Sequence, residues 1–124
     1  MKILGIDYGR AKIGLAIGEA GLAEPWKVIR VNNFDDAIEK VLQVLQVLQV
    51  EQIVVGVSDG EMGEESKKFA KEIGAITFDE TLTTQDAQQL SIQAKINRKK
   101  RKEMEDAFAA AVMLQGYLDS HDKI

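Results

Sequence analysis

Lys2-Ile3-Leu4-Gly5-Ile6-Asp7-Tyr8-Gly9-Arg10-Ala11-Lys12-Ile13-Gly14-Leu15-Ala16-Ile17 is the stretch on which the fold turns. It reads as an apolar strand that delivers a carboxylate at its end, a turn bearing glycine and cations, and a second apolar strand. Asp7 therefore stands at a strand terminus. A carboxylate at the end of a buried strand has lost much of its water and stays charged only beside cations, hydrogen-bond donors or a metal. Gly5, Gly9 and Gly14 leave room for backbone, phosphate or metal to come close, and Arg10 and Lys12 add positive charge just past Asp7. The plain alternative is an ordinary hairpin whose turn happens to carry an aspartate.

Outward from this hairpin, Gly18 to Pro25 is a turn-rich connection and Trp26 to Val31 is predicted to be a third strand, giving an antiparallel meander. Pro25 is expected only at the start of that strand, because it cannot donate to a sheet ladder. Asn32 to Asp36 supplies capping residues for a helix running through Val41 to Val50, where Gln43, Gln46 and Gln49 are separated by apolar pairs. A period of three matches neither helix nor strand, so the glutamine stripe drifts around the helix while the apolar remainder packs on the sheet or forms a homodimer face. Gln52 to Val57 is a β-branched run of the kind covered on both faces. Ser58 to Gly63 is expected to be a loop, Glu64 to Ile73 a helix ended by Gly74, and Ala75 to Glu80 a fifth strand closing on two carboxylates. Thr83 and Thr84 are predicted N-caps of a helix through Ile92, and a basic run leads into a last helix from Glu103 to about Leu118. The order describes an α/β protein with a mixed five-stranded sheet, its first three strands antiparallel, flanked by helices.

Composition narrows the chemistry. The 124 residues are most simply one domain, 1–124, with a core of its own. There is no Cys, and the lone His121 lies near the C-terminus, which leaves carboxylates as the candidate ligands. Carboxylates suit hard, oxygen-preferring ions such as Mg²⁺ or Mn²⁺. No window approaches the roughly 20 apolar residues of a membrane span, so the expected location is the cytoplasm, with no membrane partner. The formal net charge of −4 speaks weakly against nucleic acid, but its distribution matters more than its sum.

Three places put acid where the pattern asks for burial or a strand end: Asp7, the Asp79-Glu80 pair and Asp106. In the last helix Asp106 shares a stripe with Ala110, Met113, Leu114 and Tyr117, the face expected to meet the sheet. Strand ends at one edge of such a sheet lie near one another, and a cluster of like charges there asks for a divalent cation. Carboxylates holding such ions are the apparatus of phosphodiester hydrolysis. Arg98, Lys99, Lys100, Arg101 and Lys102 are consecutive cations just before Asp106, placed to hold a phosphate backbone beside the acids. Read blandly, the run is a solvated charged turn and Asp106 complements its own helix dipole.

The ordered set Leu4-Gly5-Ile6-Asp7-Tyr8-Gly9, Ile13-Gly14, Ala23-Glu24-Pro25, Ile53-Val54-Val55-Gly56, Phe78-Asp79-Glu80 with Leu82-Thr83-Thr84, Arg98 to Lys102 and Asp106-Ala107 resembles the YqgF family. These are Holliday junction resolvase-like proteins, also described as pre-16S rRNA nucleases. The resemblance implies a ribonuclease H-like fold and an acidic triad at Asp7, Glu80 and Asp106 that holds Mg²⁺ or Mn²⁺. It further implies a nuclease acting in ribosome biogenesis on the 5′ end of precursor 16S rRNA, with branched DNA as the competing substrate. Arg10, Lys12 and residues 98–102 are the expected phosphate contacts. Thr81 stands where the family usually has an arginine, and the loop after Val57 is shorter than usual. Thr81 supports an alternative, a nucleic-acid-binding module that does not turn over substrate. A third reading, the phosphate loop of an actin-like or sugar-kinase ATPase, needs a second such domain, and 124 residues supply one.

Overall fold

The computed structural model describes residues 1–58, 60–79 and 102–121. Five strands form a single sheet in the order β3-β2-β1-β4-β5. They are β1 (Lys2–Asp7), β2 (Lys12–Glu19), β3 (Leu22–Arg30), β4 (Gln52–Val57) and β5 (Ile76–Asp79). β1, β2 and β3 are antiparallel neighbours, whereas β4 and β5 run parallel to β1, as crossover connections through helices require. The expected mixed sheet with its antiparallel first three strands is therefore present.

Helices α1 (Phe34–Val47) and α2 (Glu61–Ile73) cover one face and α3 (Glu105–His121) the other. Because both faces are covered, successive residues of β1 are buried in opposite directions. Leu4 and Ile6 join Leu15, Val41, Val55 and Phe69 on one side, while Ile3 meets Ala16, Val54, Ala110 and Leu114 on the other. The β2–β3 hairpin closes on Ala20 and Gly21, both at positive φ (56° and 81°), the two-residue turn whose twist matches antiparallel strands. Gln115 of α3 pins that turn, accepting from the Ala23 amide at 2.9 Å and donating to the Gly21 carbonyl at 3.0 Å.

Several boundaries differ from the sequence expectation. β3 begins at Leu22 and carries Pro25 in its interior rather than at its start. Two features make room for it: β3 is an edge strand, and its register against β2 shifts so that Ala16 pairs with Pro25 and Leu15 with Lys27. Trp26 is the extra residue of that bulge, so the missing proline amide costs no interior ladder bond. α1 stops at Val47, short of Val50, and Leu48 is extended with its amide donating to the Val44 carbonyl. Its N-cap is Asn33, whose side chain accepts from the Asp36 amide at 2.8 Å. α2 starts at Glu61, three residues earlier than expected, because Gly60 turns the chain at φ +89°. Gly74 ends α2 in the left-handed conformation, as its position predicts. The helix expected after Thr83 lies outside the described residues.

Candidate active site

The site is assembled by topology before any side chain is considered. β1, β4 and β5 are parallel, so their C-terminal ends, Asp7, Val57 and Asp79, open onto one rim of the sheet. α3 begins at the same rim. Asp7 pairs across the hairpin with Gly14, and a side chain at Gly14 would place its Cβ 1.9 Å from the backbone oxygen of Asp106. Farther along, Gly5 and Gly18 accept Leu114 in the same manner, at 2.9 and 3.0 Å from a notional Cβ. Three glycines thus make a trough in the sheet, and α3 lies in it, parallel to β2 and antiparallel to β1. Its N-terminus, the positive end of its dipole, comes down at the carboxylate end of β1.

The backbones of Asp7 and Asp106, 99 positions apart in the chain, both border Gly14, because only glycine there lets the helix backbone sit directly on the strand. Strand alternation gives Asp7 the same face as Gly5, which is the α3 face. Asp106 is half-buried in the first turn of α3. The stripe below it is the one the spacing predicted, with Ala110, Met113, Leu114 and Tyr117 all buried. Buried Ala107, Phe108, Ala111 and Val112 widen it.

The turn after Asp7 holds a second constellation. The Tyr8 hydroxyl donates to Glu65 Oε2 at 2.7 Å, and Arg10 Nε donates to both carboxylate oxygens of Glu65, at 3.2 and 3.3 Å. Glu65 therefore clamps the turn from α2. The Tyr8 ring packs on Phe69 (centroids 4.7 Å apart) and edge-on to Phe34 (6.2 Å). Burial of the phenol, reinforced by the hydrogen bond to Glu65, holds Tyr8 protonated well beyond the usual tyrosine range. Sequence reasoning missed Glu65. A usable signal was its position four residues before buried Phe69, which gives it the inward face of an amphipathic helix.

Arg10, an expected phosphate contact, spends part of its charge on Glu65, although its side chain is 63% exposed. Lys12 is exposed at the start of β2, and Lys102 is exposed just ahead of α3. Glu80, Arg98, Lys99, Lys100 and Arg101 lie outside the described residues. Among the described residues no group of three His, Cys, Asp or Glu side chains is arranged to hold a metal ion. Asp7 and Asp106 carry oxygen donors of the type hard cations prefer, and the single His stands at the far end of α3, roughly 22 Å away by helix rise.

Comparison with known proteins agrees with the architecture. The family model described as "RuvX: Holliday junction resolvase" matches residues 1–120. A protein of Bacillus cytotoxicus named "Putative pre-16S rRNA nuclease" is 35% identical over 136 residues, covering 97% of this chain and 99% of its own length. Relatives of the same name from Desulforamulus reducens and Halalkalibacterium halodurans are 35% and 36% identical, covering 99% and 96% of the chain and 100% and 96% of their own. Among solved structures, Thermus thermophilus RuvC in complex with Holliday junction substrate superposes with a TM-score of 0.59 at 16% identity, covering 99% of this chain and 96% of that one. That likeness bears on the fold, an α/β architecture of the ribonuclease H-like kind. With the family model spanning nearly the whole sequence and relatives this similar end to end, the chain belongs to the RuvX (YqgF) family of Holliday junction resolvase-like proteins.

Proposed function

We propose that this protein is a metal-dependent nuclease, a single ribonuclease H-like domain that hydrolyses phosphodiester bonds and matures the 5′ end of precursor 16S rRNA. The observation that carries this reading is the Asp7–Gly14–Asp106 corner, where a strand end and a helix start bring two acids to one rim. Asp7, Glu80 and Asp106 are the proposed ligands of Mg²⁺ or Mn²⁺. Support for Glu80 comes from the sequence: it directly follows Asp79, the last residue of β5, whose C-terminal end opens onto that rim. When bound, the ion supplies neutralisation of phosphate charge and Lewis acidity at the scissile bond.

The chain's own residues do the rest. Asp7 stands between buried Ile6 and Tyr8, and Asp106 directly precedes buried Ala107, so a phosphate meets both without first ordering them. Glu65 holds Arg10 and the Tyr8 turn still beside Asp7. Lys12, Lys102 and the cations at 98–101 are proposed to hold the flanking backbone.

The test is purified protein with Mg²⁺ or Mn²⁺ on precursor 16S RNA and, in parallel, on a four-way DNA junction. Asp7→Asn, Glu80→Gln and Asp106→Asn are each expected to abolish cleavage while leaving the melting temperature near wild type. Cleavage surviving Asp7→Asn and Asp106→Asn removes the mechanism, and cleavage of the junction alone moves the substrate to branched DNA.

A further inference from the structure

On the β3 side of the carboxylate corner, an open cleft of about 470 Å³ is lined by Lys12, Val28, Arg30, Lys102 and Glu103. Lys12 and Arg30 are direct cross-strand partners, and the bond from the Val31 amide to the Ala11 carbonyl (2.9 Å) holds the two strand ends together. Like charges placed directly opposite on a sheet destabilise it, and here a third cation arrives from the chain leading into α3. Among the described residues none of the three makes an ion pair, and Glu103 is the one acid on the wall. Three cations from three elements against one carboxylate form a standing positive field in a concave site.

Building on the nuclease reading, we infer that this cleft is a binding site for a backbone phosphate of the nucleic acid, with Arg30 as a contact residue. Lys12 lies two residues from Gly14 on β2, about 7 Å by strand rise, so the cleft takes a phosphate neighbouring the one at the acids. On this side of the acidic corner the nucleic-acid strand therefore runs across β2 and β3. Arg30 supplies the planar fork suited to a phosphodiester, and Lys12 and Lys102 act as point charges around it. The volume falls in the range of ordinary small-ligand sites.

The test reads binding without turnover. Wild type, Arg30→Gln and the control Lys71→Gln, which alters an exposed lysine on α2, are titrated in EDTA onto a 5′-labelled single-stranded RNA and a DNA of the same sequence, by fluorescence anisotropy from about 50 to 200 mM salt. Arg30→Gln is expected to weaken both about three- to tenfold and to reduce the slope of log K against log salt by about 1, with Lys71→Gln unchanged. Arg30 is exposed, so its variant folds, and a melting curve confirms it. Unaltered affinity and slope, an equal loss in the control, or a loss confined to RNA overturns the assignment. Absence of cleavage by the wild type defeats the nuclease reading without touching this result, and an indifferent Arg30 leaves cleavage intact.

Discussion

Gly14→Ala probes the corner where β2 meets α3 with the smallest possible change. The added Cβ would lie 1.9 Å from the Asp106 carbonyl oxygen, 2.1 Å from its carbon and 2.7 Å from the Ala107 nitrogen. All three are backbone atoms of the first turn of α3, so no rotamer relieves the overlap. Restoring a contact of about 3.0 Å requires the helix start to lift by about 1.1 Å, carrying Asp106 away from Asp7. Overpacking of this kind costs about 1–3 kcal/mol, and the loss of glycine freedom in the unfolded chain returns about 0.4–1 kcal/mol. The net, up to about 2.6 kcal/mol, lowers Tm by up to about 10 °C. A displacement near 1 Å at reacting groups costs about 10²-fold in turnover. Gly18→Ala is the matched control, since the nearest atoms to its Cβ belong to the Leu114 and Leu118 side chains, at 3.0 and 3.2 Å, rather than to backbone. Differential scanning fluorimetry and Mg²⁺-dependent cleavage of precursor RNA measure both effects. A Gly14→Ala protein with wild-type Tm and turnover refutes the claim that this contact sets the site, as does a Gly18→Ala protein equally impaired.

Three further outcomes follow from the same geometry. Tyr8 has its phenol proton held more tightly in the folded than in the unfolded protein, so its contribution is complete below pH about 10 and is lost as pH rises beyond it. The stability profile should fall above pH 10 and Tyr8→Phe should flatten it, an unaltered profile in that variant being the contrary result. Asp36 has its carboxyl held below the ordinary range, first by the Asn32 amide and then by Lys40, so its contribution is present above pH about 4 and disappears as pH falls further. Asp36→Asn should erase the difference between melting at pH 7 and at pH 3 that α1 contributes, which acid titration of both proteins by circular dichroism resolves. Glu65→Gln weakens the clamp on Arg10 and leaves its guanidinium for phosphate, so nucleic-acid affinity in EDTA should rise or hold while cleavage falls; a fall in affinity with cleavage unchanged would show that Glu65 does not position this turn.

Local pattern carried much of this fold into the sequence. The Lys2–Ile17 hairpin and Gln52–Val57 are legible because β-branched and apolar runs bounded by glycine leave few other conformations, and Gly74 marks the end of α2 by its fit to the left-handed region. The placement of Asp7 at the end of β1 and of Asp106 on the sheet-facing stripe of α3 was legible as well. What the residues do not announce is contact across large separations. Nothing near Gly14 says that Asp106 will rest on it, and nothing near Glu65 says that Tyr8 and Arg10 will reach it, because both are products of sheet order and helix placement. Pro25 misled for a similar reason, since its tolerance depends on β3 being an edge strand with a bulge at Trp26, a property of the assembled sheet. Arg30 carries no signal of its own in the sequence, because its part in a cleft comes from its register opposite Lys12 and the nearness of Lys102.

The most direct measurement is anomalous diffraction from crystals soaked in Mn²⁺. The account predicts a manganese peak with carboxylate oxygens of both Asp7 and Asp106 about 2.0–2.4 Å away, absent from crystals of Asp7→Asn. Manganese bound elsewhere, or a peak at this corner that persists in Asp7→Asn, would contradict it.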